Sequence, residues 1–335
     1  MQINMKEWVS SVLNSAQRQV LPVMTYPGLQ LVNKTILDVI KDSEAQAACI
    51  QALAKTYTSA GAVTIMDLSV EAEAFGSPIK YSQNEVPAVT APIVTDMDSA
   101  SALGVPQVGT GRTSVYIKAA ELVSKNVTDR PAFGGEIGPF SLAGRLIDMT
   151  EIMIQMMLEP EMVHIVLDKC TQFLIEYAQA FKAAGANGII IAEPAAGLLS
   201  PEMCTNFSSV YVKKIVDAVQ DENFMVILHN CGNTVKLVPS LLSTGAMAFH
   251  FGNAVDMADI MPQVPDNILA MGNIDPARVF KNGTVEDMKE KVYELLNKTA
   301  NYKNFILSSG CDVPPGTSLD NVNAFYDTLE KFNDN

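Results

Sequence analysis

The 335-residue chain is short of positive charge, of histidine and of cysteine. Its 23 Lys and Arg stand against 37 Asp and Glu, for a formal net charge of −14. An acidic balance of that size argues against a partner made of nucleic acid or of anionic membrane, because both call for a basic surface. Its plainer role is to keep the protein in solution. No stretch reaches the ~20 apolar residues of a membrane span; the greasiest, residues 188–199, is interrupted by Glu193 and Pro194. The opening residues, MQINMKEWVSSVLNSAQRQ, have neither the apolar core nor the cleavage site of a secretory signal, so a cytoplasmic location is expected. Cysteine occurs five times, at 49, 170, 204, 231 and 311, an odd number spread widely. Free thiols follow, and a clustered pair would serve a metal or catalysis sooner than a disulfide.

What the chain does have is apolar material: 48% hydrophobic against 18% charged residues, enough for a large core. No linker or short repeat divides it, which gives one domain over 1–335. Short apolar runs recur at 20–25, 62–67, 131–137, 188–193, 224–229, 247–251, 268–272 and 305–309. Between most of them lie helical stretches, such as Met162, Val163, Val166, Phe173, Leu174 and Tyr177, or Val285, Met288, Val292 and Leu296. Continuous apolar strands alternating with helices build a parallel sheet buried on both faces. Eight units predict an α/β fold, a single (β/α)8 TIM barrel, with an N-terminal helix within residues 1–19 and an inserted hairpin within 76–95.

In such a barrel the chemistry sits where strands end at their C-terminal mouths. Asp67, Glu136, Glu193, His229, Cys231, His250, Asn273, Asp275 and Cys311 all fall there. Strands must emerge into something polar, yet two cysteines and two of three histidines exceed that need. His229 and Cys231, two apart at a strand end, point to one side; Cys311 follows another strand. Together they form a three-ligand zinc set with one tetrahedral position open. Two thiolates and a neutral imidazole neutralise Zn²⁺, which suits activation of a substrate thiol better than hydrolysis. The alternative is that both cysteines are buried small apolar residues and His229 a hydrogen-bonded one. His250 reads equally as a core residue or as one lining the pocket. The glycines at 109 and 111 form no nucleotide-binding fingerprint.

Several motifs resemble the uroporphyrinogen decarboxylase superfamily, and within it the zinc-containing methylcobamide:coenzyme M methyltransferases. They are Glu71-Ala-Glu-Ala-Phe-Gly76, Gly111-Arg112, Gly138-Pro-Phe-Ser-Leu-Ala143, Glu193-Pro-Ala-Ala-Gly-Leu-Leu-Ser-Pro201, Gly272-Asn-Ile-Asp-Pro276 and Gly310-Cys311. The His229-Asn-Cys231 element with the late Cys311 marks the methyltransferase branch. The decarboxylases present an arginine-rich segment near the first strand, whereas residues 22–30 here hold no Arg or Lys, and the whole chain has five arginines (18, 112, 130, 145, 278). The resemblance implies methyl transfer from a methylated corrinoid (a cobalamin-type cofactor), carried by a separate small corrinoid-binding protein, to the thiol of coenzyme M, as in the one-carbon metabolism of methanogenesis. His229, Cys231 and Cys311 would be catalytic metal ligands; Asp67, Arg112, Glu136, Glu193, Asn230, His250, Asn253 and Asn273 would surround substrate. A homodimer is the superfamily's habit. Uroporphyrinogen decarboxylation, and methyl transfer to tetrahydrofolate, are the alternatives.

Overall fold

The computed structural model describes residues 3–334, so Met1, Gln2 and Asn335, which the single-domain and N-terminal-helix expectations include, lie outside the described residues. Strands are β1 (Ala62–Val63), β2 (Ile79–Lys80), β3 (Ala88–Val89), β4 (Ala132–Ile137), β5 (Gly188–Ala192), β6 (Met225–Asn230), β7 (Ala248–Phe251), β8 (Leu269–Ile274) and β9 (Phe305–Ser309). Seven of them form one sheet in the order β1-β4-β5-β6-β7-β8-β9, with every neighbouring pair parallel. The remaining two, β2 and β3, pair antiparallel as a hairpin after β1.

Residues 20–23 complete the ring. Val20 bridges Leu307 in parallel, with Leu21 N donating to Leu307 O at 2.9 Å and Leu307 N to Gln19 O at 3.0 Å. On the other side Ala60 N donates to Val20 O at 2.8 Å. The segment therefore lies between β9 and β1, in the place of the first barrel strand. Pro22 has no N–H to offer the β1 side, where Ala60 N to Val20 O is the backbone bond that forms; the isolated bridge lies on the β9 side.

Strand alternation sorts the core into two shells. Phe133, Ile190, Met225, Ile227, Ala248, Leu269, Met271 and Ile306 point into the barrel and pack as one cluster with Leu21, Val23, Val63 and Met66. The helix Met5–Leu13 closes the N-terminal end of that cluster: Met5 and Val12 join it, and the Trp8 ring meets Phe133 edge-on at 6.0 Å. Asn4 caps this helix by accepting from the Lys6 and Glu7 amides. The intervening positions, Ile189, Ile191, Val226, Leu228, Phe249, Ala270 and Leu307, face outward to the helices. The longest, Pro160–Ala183, lays Phe173, Leu174, Tyr177 and Phe181 against the sheet. Gly134 allows this approach, since a Cβ there would stand 2.8 Å from the Phe181 ring. Among the described residues no helix is long and apolar enough to cross a membrane.

Candidate functional site

The same alternation decides which polar residues share the barrel interior. His229 continues the inward phase of Met225 and Ile227, His250 that of Ala248, and Ser308 that of Ile306. Register places His229 directly beside His250 on adjacent strands. Cys231 follows β6 by one residue and Cys311 follows β9 by two. The structure brings these last two together with His229: Cys231 Sγ lies 3.1 Å from His229 Nε2 and 3.7 Å from Cys311 Sγ. One ligand atom from each of the three residues lies within 4.8 Å of the others. His229 is buried and both cysteines are partly exposed at the mouth, which leaves a route in for a small molecule.

Behind the sulfur-facing edge of His229 runs a chain of hydrogen bonds whose directions follow from donor bookkeeping. Ser308 Oγ donates its one proton to Leu21 O at 2.7 Å. It must therefore accept from His250 Nε2, 2.8 Å away. Burial, reinforced by the adjacent His229 ring, holds the His250 imidazole pKa far below its usual range, so this ring is neutral and its Nδ1 is an acceptor. His229 Nδ1, at 2.7 Å, is then the donor, and His229 Nε2 is left as a bare lone pair aimed at the two thiols. A histidine whose far nitrogen is held by a hydrogen bond in this way is pre-set as a metal ligand. Between the cysteines, the S–H···S contact from Cys231 holds the Cys311 thiol well below its ordinary pKa and raises that of Cys231.

These residues fit a zinc ion. Tetrahedral bonds of ~2.3 Å to sulfur and ~2.0 Å to nitrogen put sulfurs about 3.8 Å apart and sulfur and nitrogen about 3.5 Å apart. The S···S distance already matches, and the His229–Cys231 pair needs to open by less than half an ångström. A structural zinc site would close the fourth vertex with a fourth side chain. Among the described residues no further His, Cys, Asp or Glu joins the cluster.

The other expected residues are placed differently. Glu136 shares the outward phase of Gly134 and lies with Glu71 and Tyr177 between sheet and helices; neither carboxyl oxygen has a partner. Burial, then the Glu71 carboxyl, raises its pKa far above the carboxylate range. Burial also lifts Glu71, to about 8, although Glu71 Oε1 accepts from Ile137 N. Glu193, also outward, caps the helix Pro139–Ile147 by accepting from the Phe140 and Ser141 amides at 2.9 and 2.6 Å. Burial raises it to about 7 against those donors. Asn230 Nδ2 ties β6 to Glu193 O. Asn273 Nδ2 braces the carbonyls of Gly252 and Val255, and Asn253 Nδ2 donates to Asp275.

Asp67 and Arg112 bind each other. The Arg112 guanidinium contacts Asp67 and Glu73 as ion pairs and donates to Ser69 and Tyr116. Asp67 also accepts from Ser69 and Tyr116. Each of the guanidinium's nitrogens has a partner, through four of its five N–H groups, so Arg112 braces the loop after β1. Ser308 was not singled out from the sequence, although its phase in β9 matched that of the two histidines.

The uroporphyrinogen decarboxylase (URO-D) family model matches residues 10–332. The chain belongs to the uroporphyrinogen decarboxylase family. The relatives of this family member include the methylcobamide:CoM methyltransferase MtbA of Methanosarcina acetivorans, 30% identical over 270 residues, which are 79% of this chain and 78% of the relative. They also include a uroporphyrinogen decarboxylase of Vibrio vulnificus, 25% identical over 323 residues, 87% and 88% of the two chains. A solved methyltransferase from Methanosarcina mazei superposes with a TM-score of 0.87 over 98% of this chain and 99% of its own at 23% identity, which establishes the shared barrel fold.

Proposed function

We propose that the protein is a zinc-dependent methyltransferase that moves a methyl group from a methylated corrinoid, carried on a separate small protein, to the thiol of coenzyme M or a similar acceptor. The observation that carries the reading is the convergence of His229 Nε2 with the Cys231 and Cys311 sulfurs at one barrel mouth, backed by the His250–Ser308 chain. Likeness to the methylcobamide:CoM methyltransferase of Methanosarcina acetivorans supports it.

A zinc ion held by these three residues would supply Lewis acidity that lowers the pKa of a substrate thiol near neutral pH. The residues supply the rest. Two thiolates and a neutral imidazole offset the charge of the ion, so a substrate sulfur that gives up its proton stays electron-rich. His250, fixed by Ser308, holds His229 in the tautomer that keeps Nε2 free of a proton. The substrate sulfur then attacks the methyl carbon of the corrinoid in line with the Co–C bond, whose electron pair stays with cobalt as Co(III) becomes Co(I). The thiol proton leaves to solvent. Little acid–base catalysis is called for beyond that loss, and positioning carries much of the rate.

Decarboxylation of uroporphyrinogen is the reading kept against this one, because decarboxylases are also relatives. It gains little from the site: the Asp67 carboxylate is engaged by Arg112, Ser69 and Tyr116, and decarboxylation gives the two thiols no task. Metal analysis of the purified protein, then demethylation of methylcobalamin with coenzyme M, homocysteine or tetrahydrofolate, tests the proposal. About one zinc per chain, lost on Cys311→Ala, with thiol-dependent cob(I)alamin formation is the expected result. Metal-free protein that turns over uroporphyrinogen would overturn it, and turnover with folate alone would replace the acceptor.

A further inference from the structure

We infer that Cys231 and Cys311 form a reversible modification site: a small symmetrical disulfide that enters the barrel mouth is reduced by the pair, which closes to an intramolecular disulfide and releases its metal. The thiol-methyltransferase reading is needed at one point, the source of the oxidant, which is the oxidised form of the acceptor thiol. The two Sγ atoms are 3.7 Å apart, so a bond of about 2.05 Å asks them to approach by less than about 2 Å. Side-chain rotation supplies this, because the backbone is tied down on both sides of each cysteine. Before Cys231, Gly252 N donates to Asn230 O at 2.9 Å; after it, Gly232 turns at φ 81° against Gly197. Before Cys311, Gly310 N donates to Ile274 O at 2.7 Å; after it, Val313 N donates to Val23 O at 2.9 Å. The pair Gly252–Asn253 packs on both segments: a Cβ at Gly252 would stand 3.0 Å from Cys231 Cα, and one at Gly310 would stand 2.6 Å from Asn253 Cβ. One stretch of chain therefore sets the spacing of the two sulfurs.

The remaining thiols do not compete. Cys49, Cys170 and Cys204 are fully buried, whereas Cys231 and Cys311 are partly exposed. Cys49 Sγ donates to Thr25 O at 3.3 Å, and Cys204 Sγ lies 3.7 Å from Ser209 Oγ. Access and spacing thus select one pair. One cysteine sulfur attacks a sulfur of the small disulfide RSSR, forms a mixed disulfide and releases one RSH. The other cysteine sulfur attacks the protein sulfur of that bond, breaks its link to R and releases the second RSH. The protein sulfurs lose two electrons in all and RSSR gains them. The protons on the two RSH come from the cysteine thiols, or from solvent where the cysteines were metal-bound thiolates. A second sulfur held at 3.7 Å acts at an effective concentration far above that of free thiol, so the mixed disulfide does not accumulate. Once joined, the sulfurs carry no thiolate charge, and His229 Nε2 alone is too few ligands to hold zinc. Oxidation of the acceptor pool therefore shuts the site that consumes it, and excess thiol restores it.

The test treats the intact protein, as purified and after metal removal by a chelator, with bis(2-hydroxyethyl) disulfide. Alkylation in denaturant with peptide mass mapping then counts thiols, and a chromophoric indicator reads released zinc. Of the five cysteines, two are expected to stop alkylating, with the Cys231 and Cys311 peptides joined to each other. Zinc is expected to leave in step with that loss, and excess 2-mercaptoethanol with added zinc to reverse both. Cys231→Ser protein is expected to stop at the mixed disulfide of 2-mercaptoethanol on Cys311. Metal-free parent protein that keeps both thiols alkylatable, or that holds a stable mixed disulfide, overturns the inference. Zinc-loaded protein that keeps both its metal and its thiols overturns it too. The same disulfide in a protein that purifies without zinc supports the inference, while the methyltransferase reading fails on its own metal analysis.

Discussion

Replacing His250 by Phe keeps a planar ring in the barrel interior but removes both nitrogens of the chain that runs from Leu21 O through Ser308 to His229. The His229 Nδ1–H then faces a hydrocarbon edge. A buried donor stripped of its acceptor costs about 1–3 kcal/mol. His229 can avoid that cost only by shifting its proton to Nε2, which removes the lone pair that faces the sulfurs. Either way zinc binding weakens, by about 10- to 100-fold, the range for loss of an outer hydrogen bond to a metal-bound histidine. Ser308→Ala is expected to have a smaller effect, about three- to tenfold, because His250 remains and only loses the acceptor that fixed its tautomer. Competition against a chromophoric zinc chelator measures both variants, with circular dichroism of the metal-free proteins as the control for folding. The reasoning is refuted if folded His250→Phe protein holds zinc within about twofold of the parent's affinity, for then His229 is oriented without its neighbour.

Arg112→Ala should destabilise the protein by about 3–5 kcal/mol, read in chemical denaturation, because it strands the fully buried Asp67 carboxylate; a loss under about 1 kcal/mol would mean that the cluster behaves like a surface pair. Gly197→Ala places a Cβ against the Cys231 carbonyl oxygen, so the turn carrying that ligand must shift and zinc affinity should fall although no ligand has changed; an unaltered affinity would show that the turn yields freely. The pH dependence of stability gives a third check. Glu71 is raised to about 8 in the fold from about 4.3 unfolded, so between these values the folded state holds a proton that the unfolded chain has released. Its contribution is complete below the unfolded value and is lost as pH rises through the folded one. Glu71→Gln keeps the acceptor for Ile137 N and cannot ionise, so it should flatten the fall in thermal midpoint between pH 5 and 8; a parallel fall in both proteins would assign that slope to other groups.

The barrel and the clustering of His229 with Cys231 and Cys311 were legible because both rest on local pattern. Apolar runs alternating with helical periodicity specify a parallel sheet, and the His-x-Cys spacing puts two candidate ligands on one side of an extended chain. Side selection at the strand ends was less legible. Glu136 and Glu193 terminate apolar runs just as His229 does, but every residue of β4 and β5 is buried, so hydrophobicity does not alternate and the inward phase cannot be read. Only the packing of Gly134 against Phe181 and of Ile190 into the interior reveals it. Arg112 was expected beside the substrate for a related reason: its partners Asp67 and Glu73 are 45 and 39 residues away in sequence.

The chain's single tryptophan is a consequence-laden choice of position. Trp8 lies edge-on to Phe133, with its indole N–H on the Ala60 carbonyl, at the end of the barrel away from Cys231 and Cys311. Intrinsic fluorescence therefore watches the amino-terminal helix leave its seat and is nearly blind to events among the sulfurs. A flat emission titration would not signify an idle site, and a red-shifted spectrum during denaturation would time the detachment of that helix from everything above it.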